Sequence, residues 1–156
     1  MSYFLTAILV VLLDHVTKAW IVNSFSMYAS KTVIPGFFNL VYVTNTGAAF
    51  SMFADIDSPI RHYGFLGIGF AAVVFLTVIF FKLRSEHKLY PLALGLISGG
   101  ALGNVIDRVR SGAVIDFLDF YIGKYHWPAF NVADSAICIG VGIFLAINFF
   151  EAKKKE

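Results

Sequence analysis

The chain has 156 residues, of which 58% are hydrophobic, 17% aromatic and only 14% charged, and its mean hydropathy is +0.77. Soluble domains carry about 25% charged residues, so the composition excludes an ordinary soluble domain and predicts a membrane protein. The net charge is +2 and the only basic block is the C-terminal run of three lysines, which gives no support to a nucleic-acid partner.

The first apolar run, about residues 3–22, is long enough to span a membrane, because about 20 helical residues cover the hydrocarbon core. It has no basic N-terminal region and no small-residue cleavage site, so we expect a retained helix rather than a signal peptide. Asp14 and Lys18 share one face of this helix. Ionisable groups inside a span usually face the bundle interior or water. A structural ion pair and a direct part in chemistry both stay open for these two residues.

Residues 23–61 break the helical pattern. Pro35 and Gly36 are followed by β-branched and aromatic residues that partly alternate, which predicts a small sheet or hairpin at the membrane face. Asn45 lies in a turn with Gly47. Its side-chain amide is a candidate for holding an extended peptide, although an asparagine beside a glycine commonly serves the turn alone.

Three further apolar runs predict spans at about residues 63–81, 89–109 and 134–149. Three basic residues between the second and third spans (Lys82, Arg84 and Lys88) mark that loop as cytoplasmic by the positive-inside rule. Four spans then place both termini in the cytoplasm and the 110–133 loop outside. We expect a membrane all-α fold: one integral membrane domain, residues 1–156, with four transmembrane helices, a small extracytoplasmic β-sheet and a periplasmic loop.

Asp116 follows the third span and Asp134 begins the fourth, so the outer loop can bring them together, and they are candidates for a reacting pair. Two carboxylates that share one site cannot both ionise cheaply, so the pair would hold one proton. The ionised member would deprotonate a water that attacks a peptide carbonyl, and the protonated member would stabilise the oxyanion and protonate the leaving nitrogen. Asp134 alternatively serves as a helix cap, so spacing alone leaves both interpretations open.

Other catalytic chemistries lack their motifs. The sequence has no HExxH motif, no pair of histidines at ligand spacing and no GxSxG serine elbow, so we expect neither a metal nor a cofactor. Cys138 lies in the last apolar run and is expected to be a small buried residue. At the end of the third span, Asp107 and Arg108 form either a surface ion pair or, through Arg108, a grip on peptide carbonyls or lipid phosphate.

Five segments in order resemble the boxes of the bacterial lipoprotein signal peptidases, the type II signal peptidase family. They are DHVTK (14–18), TNTGAAF (44–50), GGALGNVIDR (99–108), AVIDF (113–117) and FNVADS (130–135). The resemblance covers essentially the whole chain. It implies an aspartyl protease of the bacterial inner membrane that cuts the signal peptide from prolipoproteins, just before a cysteine that carries a diacylglyceryl group.

The resemblance also implies roles for single residues. Asp116 and Asp134 match the catalytic dyad. The substrate-binding and supporting positions are matched by Asn45, Gly47, Asn104, Asp107, Arg108, Asn131, Asp14 and Lys18. Asp119 falls outside the family's pattern and is expected to be an exposed interface residue, and His15 receives no role. The implied partners are diacylglyceryl-modified prolipoproteins and membrane lipid, and a monomer is expected because one chain holds every box.

Two alternatives come from other functional classes. A small proton-coupled transporter would use Asp14, Lys18, Asp107 and Asp116 as a relay, which predicts polar groups spread through the depth of the membrane. A noncatalytic membrane assembly subunit would use the glycines of the third span for packing. It gives no reason for the two Asn-x-x-Asp elements at 104–107 and 131–134.

Overall fold

The computed structural model describes residues 2–47 and 59–153 and contains four long helices and one small sheet. The helices are α1 (Tyr3–Ser24), α2 (Pro59–Leu83), α3 (Tyr90–Ser111) and α4 (Val132–Lys153). The strands are β1 (Ser30–Ile34), β2 (Phe38–Asn45), β3 (Val114–Ile122) and β4 (Tyr125–His126). Each of the four helices is long and apolar enough to cross a membrane. The predicted fold class, a membrane all-α bundle with a small sheet, is therefore confirmed.

Local sequence signals explain where the helices begin and end. The side chain of Ser2 caps α1 by accepting a hydrogen bond from the backbone nitrogen of Leu5 at 3.3 Å. Proline in the first turn of α3 suits a position that needs no backbone donor. Gly112 ends α3 in the left-handed region, with φ of +76°, which side chains with a Cβ rarely adopt. This turn leads the chain from α3 directly into β3.

Helix α3 lies between α1 and α4, and its glycines allow close approach on both sides. A Cβ added at Gly99 would come within 2.8 Å of the carbonyl oxygen of Ala7 in α1. A Cβ at Gly100 would collide with the carbonyl oxygen of Ala133 in α4. Small residues therefore bring three helix backbones together, as they do in other membrane bundles.

The apolar core lies at the end of the bundle away from the sheet. Its buried residues come from all four helices: Tyr3, Phe80, Tyr90, Leu94 and Ile147. The ring of Phe80 stacks on Tyr3 with centroids 4.4 Å apart. The Tyr3 hydroxyl lies 2.8 Å from the hydroxyls of both Ser98 and Thr77, so this buried polar group is satisfied.

The sheet is antiparallel, in the order β1-β2-β3-β4, and covers the opposite end, which we call the sheet end of the bundle. Strands β1 and β2 form the predicted hairpin. The segment 110–133 is predicted to be a loop, but it carries β3 and β4. The last three residues of the TNTGAAF segment, together with Lys154 and Lys155, lie outside the described residues.

Candidate active site

An ion cluster joins α1 to α3 below the sheet end. Lys18 Nζ lies 2.7 Å from Oδ2 of Asp14 and 2.7 Å from Oδ2 of Asp107, and all three side chains are buried. The same nitrogen donates to Oδ1 of Asn104 at 3.2 Å. One buried cation therefore holds two carboxylates and fixes which end of the Asn104 amide faces it.

The carboxylates of this cluster also bind the backbone of neighbouring elements. Oδ1 of Asp14 accepts a hydrogen bond from the backbone nitrogen of Ala133 at 2.9 Å, at the start of α4. Oδ2 of Asp107 accepts from the backbone nitrogen of Ile115 in β3 at 3.3 Å. The cluster thus positions the first turn of α4 and the start of β3, the two places from which Asp134 and Asp116 project.

Asp116 lies in β3 and is only 4% exposed. Its Oδ1 accepts a hydrogen bond from the side-chain nitrogen of Asn131 at 2.7 Å, and the side chain of Asn45 also hydrogen bonds to it. Burial, followed by the nearby charge of Asp134, raises the pKa of Asp116 to about 7, against the opposing effects of these hydrogen bonds and of Lys18. This carboxyl can therefore carry a proton near neutral pH.

Asp134 lies in the first turn of α4, where the helix dipole favours a negative charge. Its Oδ1 accepts a hydrogen bond from the side-chain nitrogen of Asn104 at 2.8 Å. Asn131 and Asp134 also cap the helix reciprocally: the Asp134 nitrogen donates to Asn131 Oδ1 at 2.9 Å, and the Asn131 nitrogen donates to Asp134 Oδ2 at 3.3 Å. Asn131 therefore contacts both carboxylates.

Arg108 connects α3 to the turn after β2. Its Nη2 donates to the carbonyl oxygen of Gly47 at 2.8 Å, and its guanidinium lies over the ring of Phe65, 5.4 Å from the centroid. The Gly47 nitrogen in turn donates to Oδ1 of Asn45 at 2.9 Å. Within the described residues, the buried Nε of Arg108 has no hydrogen-bond partner. Arg108 thus anchors the turn and keeps one donor unused beside the carboxylates.

A cavity of about 510 Å³ opens at this point, and both carboxylates line it. Its polar lining consists of Asn45, Asn104, Arg108, Asp116, Asp134 and Ser135. The remaining walls are formed by Val114, Trp127, Pro128, Ala129, Phe130, Ile137 and Cys138. The cavity therefore combines two carboxylates and two side-chain amides with apolar lining residues.

The predicted site residues lie close together in the structure. They differ in whether they line the cavity, contact its lining residues or lie behind them. Five of them line the cavity: Asn45, Asn104, Arg108, Asp116 and Asp134. Asn131 and Gly47 contact these lining residues directly. The ion cluster of Asp14, Lys18 and Asp107 lies behind the lining, and acts on it through backbone contacts and through Asn104.

Two expectations about other residues are wrong. Cys138 is exposed and lines the cavity rather than being buried. Its position four residues after Asp134 on a helix was a signal that could have placed it on the same face. Asp119 is not an exposed interface residue, because it is 7% exposed and hydrogen bonded within the sheet. Across the described parts of the chain, no three His, Cys, Asp or Glu side chains are grouped to hold a metal ion.

Comparisons with known proteins agree on one family. The family model described as signal peptidase (SPase) II matches residues 6–150. The lipoprotein signal peptidase of Syntrophus aciditrophicus (strain SB) is 42% identical over 99% of this chain and 95% of its own length. That of Geobacter sulfurreducens is 47% identical over 92% of this chain and 88% of its own. A solved bacterial membrane enzyme superposes with a TM-score of 0.88 at 34% identity, covering 99% of this chain and 91% of that one.

Proposed function

The chain belongs to the signal peptidase II family of aspartic proteases, and we propose that it removes the signal peptide from diacylglyceryl-modified prolipoproteins immediately before the lipidated cysteine. The observation that carries the proposal is the pairing of Asp116 and Asp134, which line one cavity and are bridged by Asn131. The transporter alternative finds no support in the relatives named above, which are lipoprotein signal peptidases.

The surroundings of the two carboxylates support different roles for them. Asp134 lines the cavity, and both of its oxygens act as acceptors, from the side chain of Asn104 and from the backbone nitrogen of Asn131. Asp116 is more deeply buried in a strand, and its raised pKa favours a proton there near neutral pH. We assign Asp134 as the general base and Asp116 as the general acid.

The reaction then needs one water and the proton that the pair shares. Asp134 takes a proton from the water as its oxygen bonds to the carbonyl carbon of the scissile peptide, and Asp116 donates a hydrogen bond to the developing oxyanion. When the carbon–nitrogen bond breaks, the Asp116 proton passes to the leaving nitrogen. Transfer of a proton from Asp134 to Asp116 restores the starting state, so protons and electrons balance over the cycle.

The shape of the cavity supports a lipidated substrate. Its polar lining residues present the dyad, with amide and guanidinium donors suited to peptide carbonyls. Its apolar lining residues, which include Trp127, Phe130 and Ile137, suit an acyl chain or an apolar signal segment. The cavity lies at the sheet end of the bundle, so a substrate helix within the bilayer can present its scissile bond to the dyad.

The placement in the membrane forms part of the same proposal. The basic loop between α2 and α3 lies at the end of the bundle opposite the sheet, and the positive-inside rule assigns such a loop to the cytoplasm. Both termini are then cytoplasmic and the active site faces outwards from the bacterial inner membrane. We propose one domain, residues 1–156, acting as a monomer.

The test uses the purified protein with a precursor that carries the diacylglyceryl group, and follows cleavage by a mobility shift on a gel. The wild type should cleave, and Asp116→Asn and Asp134→Asn should each lose cleavage while keeping a cooperative thermal transition. Near-normal turnover by either folded variant would show that the dyad assignment is wrong. An unlipidated precursor serves as the matched substrate; cleavage at the same rate would contradict the proposed lipid requirement.

A further inference from the structure

Asp119 is a buried carboxylate for which the proposed chemistry has no use. It lies in β3, three residues after Asp116, and both of its oxygens are engaged. Oδ2 accepts a hydrogen bond from the side-chain nitrogen of Asn39 at 2.9 Å, and Oδ1 lies 2.8 Å from Nδ1 of His126. Burying a carboxylate is expensive unless it is well paired, so this arrangement needs a structural or functional reason.

The partners of Asp119 connect β2, β3 and β4. Asn39 is its direct cross-strand neighbour in β2. His126 belongs to β4 and stacks on Tyr121 of β3, with the ring centroids 4.8 Å apart and the planes within 7°. The Tyr121 hydroxyl accepts a hydrogen bond from the backbone nitrogen of Gly36, in the turn between β1 and β2, at 3.0 Å. The cluster therefore braces the sheet from β4 to β2 and to the turn between β1 and β2.

The chain that leaves this brace forms a wall of the cavity. Residues 127–130, which we call the wall segment, follow His126 directly and all line the cavity. Backbone hydrogen bonds join the segment to β3 at its two ends, from Trp127 to Phe120 at 2.8 Å and between Phe130 and Leu118 at 2.8 and 3.1 Å. Pro128, in between, has no backbone donor to offer.

The wall segment is thus held between two carboxylates of the same strand. At its far end, Asn131 donates to Oδ1 of Asp116 at 2.7 Å. At its near end, His126 contacts Oδ1 of Asp119 at 2.8 Å. Trp127 and Pro128 are exposed between these anchors, where a substrate would meet them. The position of this apolar surface therefore depends on the Asp119 brace as well as on the dyad.

We propose that Asp119 is a positioning residue, which acts through His126 to hold the wall segment against the apolar part of the substrate next to the scissile bond. The proposal rests on the proposed function, because the substrate is the lipidated precursor. Asp119 touches neither the dyad nor the substrate, so its effect falls on substrate affinity and not on the acid–base step. Asn39 completes the brace by occupying the second carboxylate oxygen.

The kinetic test compares Asp119→Asn, His126→Phe and the double variant on the lipidated precursor. Phenylalanine retains an aromatic ring to stack on Tyr121 but has no ring nitrogen. Each single change should raise KM about tenfold, because one charge-assisted hydrogen bond is lost. It should leave kcat within about twofold of the wild type. The double variant should be no worse than either single one, since Asp119→Asn removes the charge and one acceptor oxygen from the contact and His126→Phe removes its other partner. His126→Gln, whose amide can still donate, should retain most of the affinity.

Lys124→Ala is the matched control, because Lys124 lies on the same hairpin, over the ring of Tyr125, and outside the brace. It should leave KM unchanged. Unchanged KM in folded Asp119→Asn, or kcat falling as much as kcat/KM, would overturn the positioning role. So would additive effects in the double variant.

A second measurement needs no cleavage. The chain has two tryptophans, Trp20 and Trp127. In the Trp20→Phe background, Trp127 of the wall segment is therefore the only tryptophan in the chain. In the substrate-free protein, Asp119→Asn and His126→Phe should each lower the fluorescence anisotropy of Trp127, whereas Lys124→Ala should not. Unchanged anisotropy would refute the anchoring. Failure of the wild type to cleave the precursor would instead refute the proposed function and leave the anisotropy result valid.

Discussion

The side-chain nitrogen of Asn104 lies 2.8 Å from Oδ1 of Asp134, and the carbonyl oxygen of the same amide accepts a hydrogen bond from Lys18 at 3.2 Å. A cation cannot accept a hydrogen bond, so Lys18 determines the orientation of the amide and leaves its nitrogen for the carboxylate. The buried ion cluster of α1 and α3 therefore acts on the dyad through a single asparagine.

Replacing Asn104 by alanine removes this donor from Asp134. Hydrogen bonds to charged groups contribute about 1.5–3 kcal/mol, so we expect kcat to fall by about 10- to 100-fold, with a smaller effect on KM. Steady-state cleavage of the lipidated precursor measures both constants. Asn148→Ala is the control, because Asn148 bonds to the Phe144 carbonyl in the last turns of α4, far from the cavity. Equal losses in the two variants would contradict the role given to Asn104.

Replacing Lys18 by methionine leaves Asp14 and Asp107 buried without their common cation. Breaking a buried pair in this way typically costs about 3–5 kcal/mol, so we expect a marked fall in the midpoint of thermal unfolding in detergent. Lys31→Met, which removes an exposed cation from β1, should have little effect on the midpoint.

A second comparison tests the same ion cluster. Neutralising all three charges together, with Asp14→Asn and Asp107→Asn added to Lys18→Met, should recover part of the stability lost in Lys18→Met alone. If the triple variant were less stable than Lys18→Met, the loss could not be assigned to unpaired carboxylates.

Replacing Gly100 by alanine places a Cβ against the carbonyl oxygen of Ala133, the residue before Asp134. Because backbone must shift to admit it, we expect both a lower unfolding midpoint and a kcat at least about tenfold lower, as a small displacement of a catalytic group has a large effect. Gly67→Ala in α2 is the matched control, since a Cβ there meets nothing within 4 Å. Indistinguishable behaviour of the two variants would rule out the close approach of α3 and α4.

The raised pKa of Asp116 predicts the alkaline limit of activity. Its pKa of about 7 lies above the ordinary 3.8, so the carboxyl is protonated below about pH 7 and loses its proton as the pH rises through that value. We expect kcat/KM to fall above about pH 7, because the general acid is then ionised. A pH profile of precursor cleavage measures this, and constant activity up to about pH 9 would contradict the assignment.

The raised pKa of Asp116 also predicts how the free energy of unfolding changes with pH. A carboxyl whose pKa is raised by folding contributes stability at low pH that is lost as the pH rises from about 4 to about 7. Asp116→Asn cannot ionise, so its unfolding midpoint should rise relative to the wild type over this range. A difference that is independent of pH would mean that Asp116 does not titrate there.

The four helices and five of the residues that line the candidate site could be predicted from the sequence, because long apolar runs and short polar motifs are local signals. Strand β3 could not, since Asp116 and Asp119 interrupt its alternation and its partner β2 is some 80 residues away in the chain. The burial of Asp119 depends on Asn39, at a separation of 80 residues. The spacing of residues that are close in the sequence does not predict a contact at such a separation.

The apolar core of Tyr3, Phe80, Tyr90, Leu94 and Ile147 has a consequence for the membrane's permeability barrier. Among the described residues, the buried Asp and Lys side chains begin at Asp14, which lies roughly 16 Å along α1 from Tyr3. Between Asp14 and the opposite end of the bundle, the buried polar groups that the core contacts are hydroxyls, such as those of Tyr3, Thr6 and Ser98. We therefore expect the hydrated cavity to end blindly inside the bundle, so that hydrolysis within the bilayer proceeds without a leak of protons.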